Sequence, residues 1–562
     1  MSSQSSPLQA LPGGRRRGWY GRVEARISKY PGLIAAAVVG FGFCWRLWLA
    51  HATFFNTDEA WHYSVANQNS FLAAYKASLT LAHPPLMICV LYFWRHLGTS
   101  DVMLRLPGVL AGTGFCWIFY KWLSGLFGRT VALCGLVFAA FLPPMIALSA
   151  ELRQYSWMLL FAVAAAYFLE GALAQNSAGM MLCSSLCLWL AMLSHYSAFL
   201  FAAALGLYAV LRMIWQRSGT PVIASSVIIS WGLGQVIGVG LGAFLYATQV
   251  AKLGAVYPGD PLRRFGDFYL SDVYFHAAKQ HLLPFLYRGT FGVFRFFCGQ
   301  RTTGHLTTVL FIAGVILLFR QKDDSASPLR PRVAALLLTV PSMVNWIAVV
   351  AGLYPYGRTR QCIFLAIFGI AGVSVCLARI ARNRAGLTIF LAGGIVAICH
   401  IFGTPHSLDM LAFAEQKHEH MDQAIAFIES HVSPADVLFT DKPTSFQLAH
   451  YLCGSDPVSI EQKAGFDSFS CGGLRVIATN LADGSLTPQS FAGKLHEMES
   501  SYNLPSVSGV WVVQAAWSTG LGETLRTQVP EFSTIEPHVF DRYIEVFHVP
   551  PEPSPALPAP AS

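Results

Sequence analysis

Two adjacent carboxylates stand out in this sequence because they lie in a polar segment directly after an apolar run. The segment FFNTDEAWHYSVANQ contains Asp58 and Glu59. A carboxylate in this setting can act as a general base on a hydroxyl group. Arg358 and Arg360 precede a later apolar run, so we expect their guanidinium groups at the level of the lipid headgroups. Guanidinium groups bind phosphate through two hydrogen bonds and keep their charge. These residue types predict base catalysis beside an anion site.

The elements that must position these side chains are membrane helices. The chain has 562 residues, of which 54% are hydrophobic and 12% charged, and its mean hydropathy is +0.47. A bilayer-spanning helix needs about 20 apolar residues. Apolar runs occur at Leu33–Trp45, Pro84–Trp94, Leu106–Tyr120, Val131–Ala150, Tyr155–Leu169, Met180–Leu193, Ser197–Leu211, Pro221–Val250, His305–Phe319, Val333–Leu353, Gln361–Ala378 and Ala385–Phe402. We therefore predict about 12 to 13 transmembrane helices, and the odd or even count leaves the side of the C-terminus open.

The net charge of +8 does not indicate nucleic-acid binding, because much of the excess lies in one short N-terminal segment. Basic residues before a first membrane helix stay in the cytoplasm, which predicts a cytoplasmic N-terminus and an extracytoplasmic loop around Asp58. A cleaved signal peptide ending at Ala50-His51-Ala52 is the alternative. The apolar runs hold almost no ionisable residue, and this argues against an ion-coupled transporter. Chemistry at the membrane surface is favoured instead.

The sequence divides into four parts. We predict a basic N-terminal segment (1–30), a transmembrane core (31–404), a C-terminal α/β domain (405–549) and a disordered Pro-rich tail (550–562). In the third part, HEHMDQAIAFIESHV reads as a helix, and ADVLFTD, LRVIATN, VSGVWVVQAAW and YIEVFHV read as strands. Cys453 and Cys471 are the cysteines outside the membrane part. We predict that they form a disulfide in an oxidising compartment.

Six motifs, in order across about residues 30 to 380, resemble those of the GT-C glycosyltransferases. The resemblance is to the branch of protein mannosyltransferases and the lipid A aminoarabinose transferase. One departure is Gly108, which stands where that branch commonly has Ser. The motifs are the acidic pair Asp58-Glu59, AHPPL with His83, DVMLRLPG with Arg105, SAELRQYS with Glu151, Arg153 and Tyr155, LSHYSAF with His195 and Tyr196, and YPYGRTRQ with Tyr356, Arg358 and Arg360.

This resemblance implies a GT-C membrane core and a glycosyltransferase that uses a polyprenyl-phosphate sugar as donor. A lipid, glycan or protein would be the acceptor, and the surrounding partners would be membrane lipids. The site would lie at the outer face of the cell (inner) membrane. Asp58 and Glu59 would be catalytic, with Asp58 as the base of an inverting displacement, and the other motif residues would bind substrate. No cofactor is implied. A divalent metal is not indicated, because the chain contains no D-x-D.

Several alternatives stay open at the level of sequence. Asn56 and Glu59 could form a capping box at the start of a helix, which would leave Asp58 free for catalysis. Arg358 and Arg360 could be topology charges, with either one holding the phosphate in the functional interpretation. The rival functions are a transporter or lipid flippase and a noncatalytic membrane scaffold.

Overall fold

The computed structural model describes residues 19–215, 222–252, 270–322, 329–403, 417–454, 457–479, 486–503, 509–515 and 520–550. The basic residues Arg15, Arg16 and Arg17 of the N-terminal segment, the predicted domain boundary at 404–405 and almost all of the Pro-rich tail lie outside these residues.

The membrane core consists of seventeen described helices. They are α1 Trp19–Lys29, α2 Pro31–Ala52, α3 Thr57–Ala66, α4 Phe71–Ser78, α5 Leu86–Trp94, α6 Asp101–Phe127, α7 Arg129–Phe141, α8 Pro143–Ala150, α9 Tyr155–Gln175, α10 Ala178–Ser194, α11 Ser197–Ile214, α12 Ser225–Leu245, α13 Leu282–Cys298, α14 Arg301–Arg320, α15 Pro331–Val350, α16 Ala366–Ile380 and α17 Ala385–Phe402. A π-helical turn, Tyr246–Val250, extends α12, and a 3₁₀ helix, Arg360–Leu365, leads into α16.

Among the described residues, nine helices are long and apolar enough to cross a bilayer. The bent pair α7–α8, with an angle of 55° between its halves, would make a tenth. The two remaining predicted segments are helical but shorter, at Leu86–Leu97 and Ala178–Ser194. The hydrophilic part of the sequence between α12 and α14 includes α13, an amphipathic helix whose buried face contains Phe285, Phe294 and Phe297. The fold is therefore the predicted multi-pass helical core.

The break between α7 and α8 explains a fully buried arginine. Leu142 separates the two helices, and Pro143 and Pro144 follow it, so the last carbonyls of α7 have no helical partner. Arg46 of α2 donates hydrogen bonds to Ala139 O at 2.9 Å and to Ala140 O at 3.0 Å. This guanidinium group stabilises a helix end inside the membrane core and has a structural role.

The C-terminal part folds into a seven-stranded mixed sheet in the order β2-β3-β4-β1-β5-β7-β6. Central strand β1 is parallel to β4 and β5, and the outer pairs are antiparallel. The four predicted strands correspond to β1, β4, β5 and β7, and the predicted helix to α18. The elements are α18 His418–His431, β1 Val437–Asp441, α19 Lys442–Cys453, β2 Glu461–Lys463, β3 Phe466–Cys471, β4 Leu474–Thr479, α20 Pro488–Tyr502, β5 Val510–Gln514, α21 Leu521–Gln528, β6 His538–Val539 and β7 Glu545–Val549.

Both faces of this sheet are covered, which makes the domain a three-layer α/β unit. Phe439 of β1 packs with Phe491 of α20 on one face, while Leu438 packs with Ile428 of α18 and Leu448 of α19 on the other. Alternation along β1 sends successive side chains to opposite faces. The predicted disulfide between Cys453 and Cys471 is present and joins the end of α19 to β3.

Candidate active site

The loop between α2 and α3 is fixed by a capping box at the start of α3. Asn56 Oδ1 accepts a hydrogen bond from the Glu59 backbone N–H at 3.1 Å, and Glu59 Oε2 accepts one from the Asn56 backbone N–H at 3.1 Å. The capping alternative for Glu59 is therefore confirmed. Because neighbouring residues of a helix project about 100° apart, Asp58 points in another direction.

Glu59 also forms a buried ion pair with Arg105 at the start of α6. The guanidinium Nε and Nη2 each donate to a Glu59 oxygen at 2.7 Å, and both side chains are almost completely inaccessible to solvent. The remaining donors of Arg105 bind the backbone carbonyls of Ala50, Thr53 and Phe54 at 2.8, 2.6 and 2.9 Å. The hydrogen-bonding groups of both residues are used inside the protein, where they hold the loop. The catalytic role of Glu59 and the substrate-binding role of Arg105 stay predictions.

Asp58 is the partly accessible member of the acidic pair. Its Oδ2 lies 2.9 Å from Arg153 Nη1 and 2.7 Å from Arg360 Nη2, and 22% of its side chain is exposed. Arg153 belongs to the turn between α8 and α9, and Arg360 begins the 3₁₀ helix before α16. Burial alone would raise the pKa of Asp58, but the two guanidinium groups lower it well below its ordinary value. The result is an ionised carboxylate between two cations.

A run of stacked rings extends from Asp58 into the protein. The ring centroids of His62 and His83 are 5.6 Å apart, those of His83 and His195 are 5.6 Å apart, and Tyr155 lies 4.9 Å from His195. Burial and the nearby Arg153 charge lower the pKa values of His62 and His195 to about 3, so these imidazoles are neutral. The site therefore combines one anion, two cations and uncharged polar rings.

Three polar atoms of this run are buried without a partner. In the part of the chain that the structure describes, His62 Nε2, His83 Nδ1 and Tyr155 Oη have no hydrogen bond. His62 Nδ1 lies 2.5 Å from the Asp58 carbonyl, which can only accept, so Nδ1 carries the proton and Nε2 is an acceptor. A buried polar group without a partner costs about 1–3 kcal/mol. Such atoms favour a polar ligand over a packed core.

Comparisons with known sequence families and solved structures identify the fold. Residues 82–233 match a sequence family described as dolichyl-phosphate-mannose-protein mannosyltransferase. The whole structure is similar to ArnT from Cupriavidus metallidurans in the apo state, with a TM-score of 0.50 and 12% identity over 91% of this chain and 97% of that chain. This chain has the GT-C fold. The predicted resemblance to GT-C membrane glycosyltransferases of the mannosyltransferase and ArnT type is thus confirmed.

Two further structures show weaker similarity to this GT-C chain. ArnT from the same organism bound to undecaprenyl phosphate gives a TM-score of 0.49 and 14% identity over 92% of this chain and 97% of that chain. AglB from Archaeoglobus fulgidus, an archaeal oligosaccharyltransferase in complex with an inhibitory peptide and a dolichol-phosphate, gives 0.44 and 10% over 87% and 70%. No curated protein matches the sequence significantly.

The other predicted site residues of this GT-C chain are less closely tied to Asp58. Glu151 is buried beside Arg153, and burial together with the Glu59 charge raises its pKa to about 8. Tyr196 is half-buried and stacks on Phe199.

Two predicted residues before the 3₁₀ helix contact α13. Tyr356 Oη lies 2.8 Å from Thr290 Oγ1. The backbone of Arg358 passes close to Gly292 of α13. A Cβ atom added at Gly292 would lie only 2.9 Å from Arg358 N. Of the two arginines, Arg360 is favoured as the partner of Asp58, because its Nη2 lies 2.7 Å from the Asp58 carboxylate.

Sequence reasoning missed His62 and Gln249. His62 lies four residues after Asp58, and this spacing places both on one face of α3. Gln249 lies in the π-helical turn after α12, where its fully buried Nε2 donates to Ser78 O at 3.0 Å and His83 O at 2.6 Å. Single-turn π segments often mark functional sites. Gln249 fixes the segment that carries His83.

No group of three or more His, Cys, Asp or Glu side chains within the described ranges is arranged to hold a metal ion.

Proposed function

We propose that this chain transfers a single sugar from a polyprenyl-phosphate donor to a lipid, glycan or protein acceptor. The observation that carries the proposal is Asp58, an ionised carboxylate that lies 2.9 Å from Arg153 and 2.7 Å from Arg360. A base and two cations at one point suit a reaction that removes a proton from a hydroxyl while it releases a phosphate. The lipid-bound ArnT and AglB structures support a lipid-phosphate ligand.

In the proposed reaction the acceptor oxygen attacks the anomeric carbon and gives its proton to Asp58. The glycosidic bond breaks, the bonding electron pair leaves with the polyprenyl phosphate, and the configuration inverts in this single displacement. The leaving phosphate gains negative charge, so Arg153 and Arg360 stabilise the transition state more than the ground state. His62, His83 and Tyr155 lie where hydroxyl groups of the sugar would find partners. No metal or other cofactor has a role in this proposal.

The arginines link donor binding to the strength of the base. Both guanidinium groups face Asp58 and lower its pKa, which makes it a weak base. A donor phosphate would draw part of their hydrogen bonding away from the carboxylate. The pKa of Asp58 would then rise towards its ordinary value, so that the base becomes effective when a donor is present.

We also propose that the site and the C-terminal domain face the extracytoplasmic side of the cell membrane. Tyr451 of α19 contacts Phe55 near Asp58, so the domain and the site lie on one side of the membrane. The Cys453–Cys471 disulfide fits an oxidising compartment. A protease-sensitive tag near Pro550 should be cleaved in spheroplasts and protected in inverted vesicles. The opposite pattern would contradict this topology.

Asp58→Asn tests the proposed chemistry, because an amide of the same size cannot accept the hydroxyl proton. We expect transfer to fall about 100-fold or more while the protein still folds. Mass spectrometry of glycolipids and glycoproteins from cells with the wild type, the variant or neither would identify the missing sugar. Asp436→Asn, in a turn of the C-terminal domain, is the control. Normal products with Asp58→Asn would exclude Asp58 as the base and favour a transporter or scaffold.

A further inference from the structure

One face of α19, in the C-terminal domain, packs directly on the loop that leads into α3 and Asp58. Phe55 of this loop is held through both of its backbone polar groups. Its N–H donates to Tyr451 Oη at 2.7 Å, and its carbonyl accepts from Gln447 Nε2 at 2.9 Å. Beside these bonds, the Phe446 ring stacks on Trp61 of α3 with a centroid distance of 6.1 Å and an angle of 14°. The C-terminal domain therefore binds the backbone of the residue three positions before Asp58.

The same face of α19 is anchored to the membrane core through Asp101, the first residue of α6. Asp101 Oδ2 accepts from Tyr451 Oη at 2.6 Å, and Oδ1 lies 2.8 Å from His450 Nε2. The His450 ring also stacks on Phe55 with a centroid distance of 4.5 Å. Asp101 is only 6% exposed, so these bonds are shielded from water. Tyr451 thus connects a buried carboxylate on α6 with the catalytic loop.

We propose that Tyr451 and Gln447 are positioning residues for the base, so that the C-terminal domain is a working part of the active site. This inference rests on the proposed function, because it assumes that Asp58 acts on substrate. Phe55 is followed by the capping residue Asn56, and α3 begins at Thr57. The place of the Phe55 backbone therefore sets where α3 starts and where the Asp58 carboxylate lies.

Two features make this contact more than domain packing. Loop backbone groups usually find partners within their own segment or in water, but here both polar groups of one residue bind side chains almost 400 residues away in sequence. The residues that hold the loop also come from both parts of the protein, the membrane core and the C-terminal domain. Arg105 binds the carbonyls of Thr53 and Phe54 from the membrane core, while α19 binds Phe55 from the other domain. A base held from both sides keeps the geometry that proton transfer needs.

The experiment uses Tyr451→Phe and Gln447→Leu in the full-length protein. Tyr502→Phe is the matched control, because Tyr502 lies in the same domain and its buried hydroxyl has no hydrogen bond within the described residues. Turnover is measured in native membrane vesicles with their own donor and acceptor. Affinity is measured on purified protein with undecaprenyl phosphate as the probe. Hydrogen exchange is followed in the peptide that covers residues 53–58.

We expect each of the two variants to lower turnover about 10-fold with unchanged affinity for undecaprenyl phosphate. The 53–58 peptide should exchange several-fold faster, and the control should match the wild type. Wild-type turnover and exchange in both variants would overturn the inference. So would equal losses of turnover and lipid affinity, which would show general unfolding. The exchange result does not depend on the reaction, so failure of the proposed function would appear separately, as unchanged products with Asp58→Asn.

Discussion

Replacing Glu59 by Gln tests whether this carboxylate has a structural role or a catalytic one. Glu59 accepts two hydrogen bonds from Arg105, one from the backbone of Leu152 at 2.7 Å, and two from Asn56. Gln keeps one oxygen, but its amide group would face the guanidinium donors and leave that charge without a counter-charge. Removing one partner of a buried ion pair costs about 3–5 kcal/mol. Against a typical total of about 5–15 kcal/mol, this is a large fraction of the stability.

The assay compares unfolding midpoints and transfer per folded molecule for the wild type and for Glu59→Gln in one detergent. We expect a markedly lower midpoint, while the molecules that remain folded bind undecaprenyl phosphate normally. Arg105→Lys should also destabilise the protein, because an ammonium group cannot supply the donors that Glu59 and three carbonyls use together. A Glu59→Gln protein with the wild-type midpoint and a 100-fold loss of turnover, on the order expected for a lost base, would refute this reasoning and return Glu59 to the chemistry.

Three further predictions concern separate parts of the site. Arg360→Ala should reduce turnover much more than Arg358→Ala, because Arg360 contacts the Asp58 carboxylate and Arg358, within the described residues, does not; equal losses in steady-state kinetics would contradict this. His62→Phe keeps the ring stack but removes Nε2 and the hydrogen bond from Nδ1 to the Asp58 carbonyl, so kcat/KM should fall about 10-fold in steady-state kinetics. The Asp101 carboxylate, 3.2 Å from His418 Nδ1, raises the pKa of His418, so the stabilisation by this pair is full below the unfolded value of about 6.5 and is lost as pH rises through the folded value. Unfolding midpoints measured against pH should show this loss in the wild type and not in His418→Gln.

Much of the helical core could be predicted, because each membrane span is a run of apolar residues that can be recognised in the local sequence. All twelve apolar runs are helical, although Ala178–Ser194 and Leu86–Leu97 are short. The helix Leu282–Cys298 could not be recognised by hydropathy, since it carries Arg288 and Arg295 beside a buried aromatic face. Its amphipathic pattern was the available signal.

The candidate site was predictable where motifs are local and not where contacts are distant. Asp58 is recognisable from its acidic neighbour and its place after the first span. Its partner Arg360 is 302 residues away, and no local pattern distinguishes Arg360 from Arg358. Arg360 begins the 3₁₀ helix before α16, and its guanidinium group reaches Asp58 from there. The tertiary fold sets this contact, so the local sequence does not reveal it.

The start of α6 shows that a motif residue recognised in sequence can have structural contacts that sequence does not reveal. Asp101 and Arg105 are four residues apart and therefore lie on one face of the helix. From this face Arg105 holds Glu59 and the carbonyls before Phe55, while Asp101 holds Tyr451, which binds the N–H of Phe55. A charged residue at a helix start resembles a ligand-binding group in sequence. Here both charges are used within the protein, and they join the loop of the base to the C-terminal domain through a single helix end.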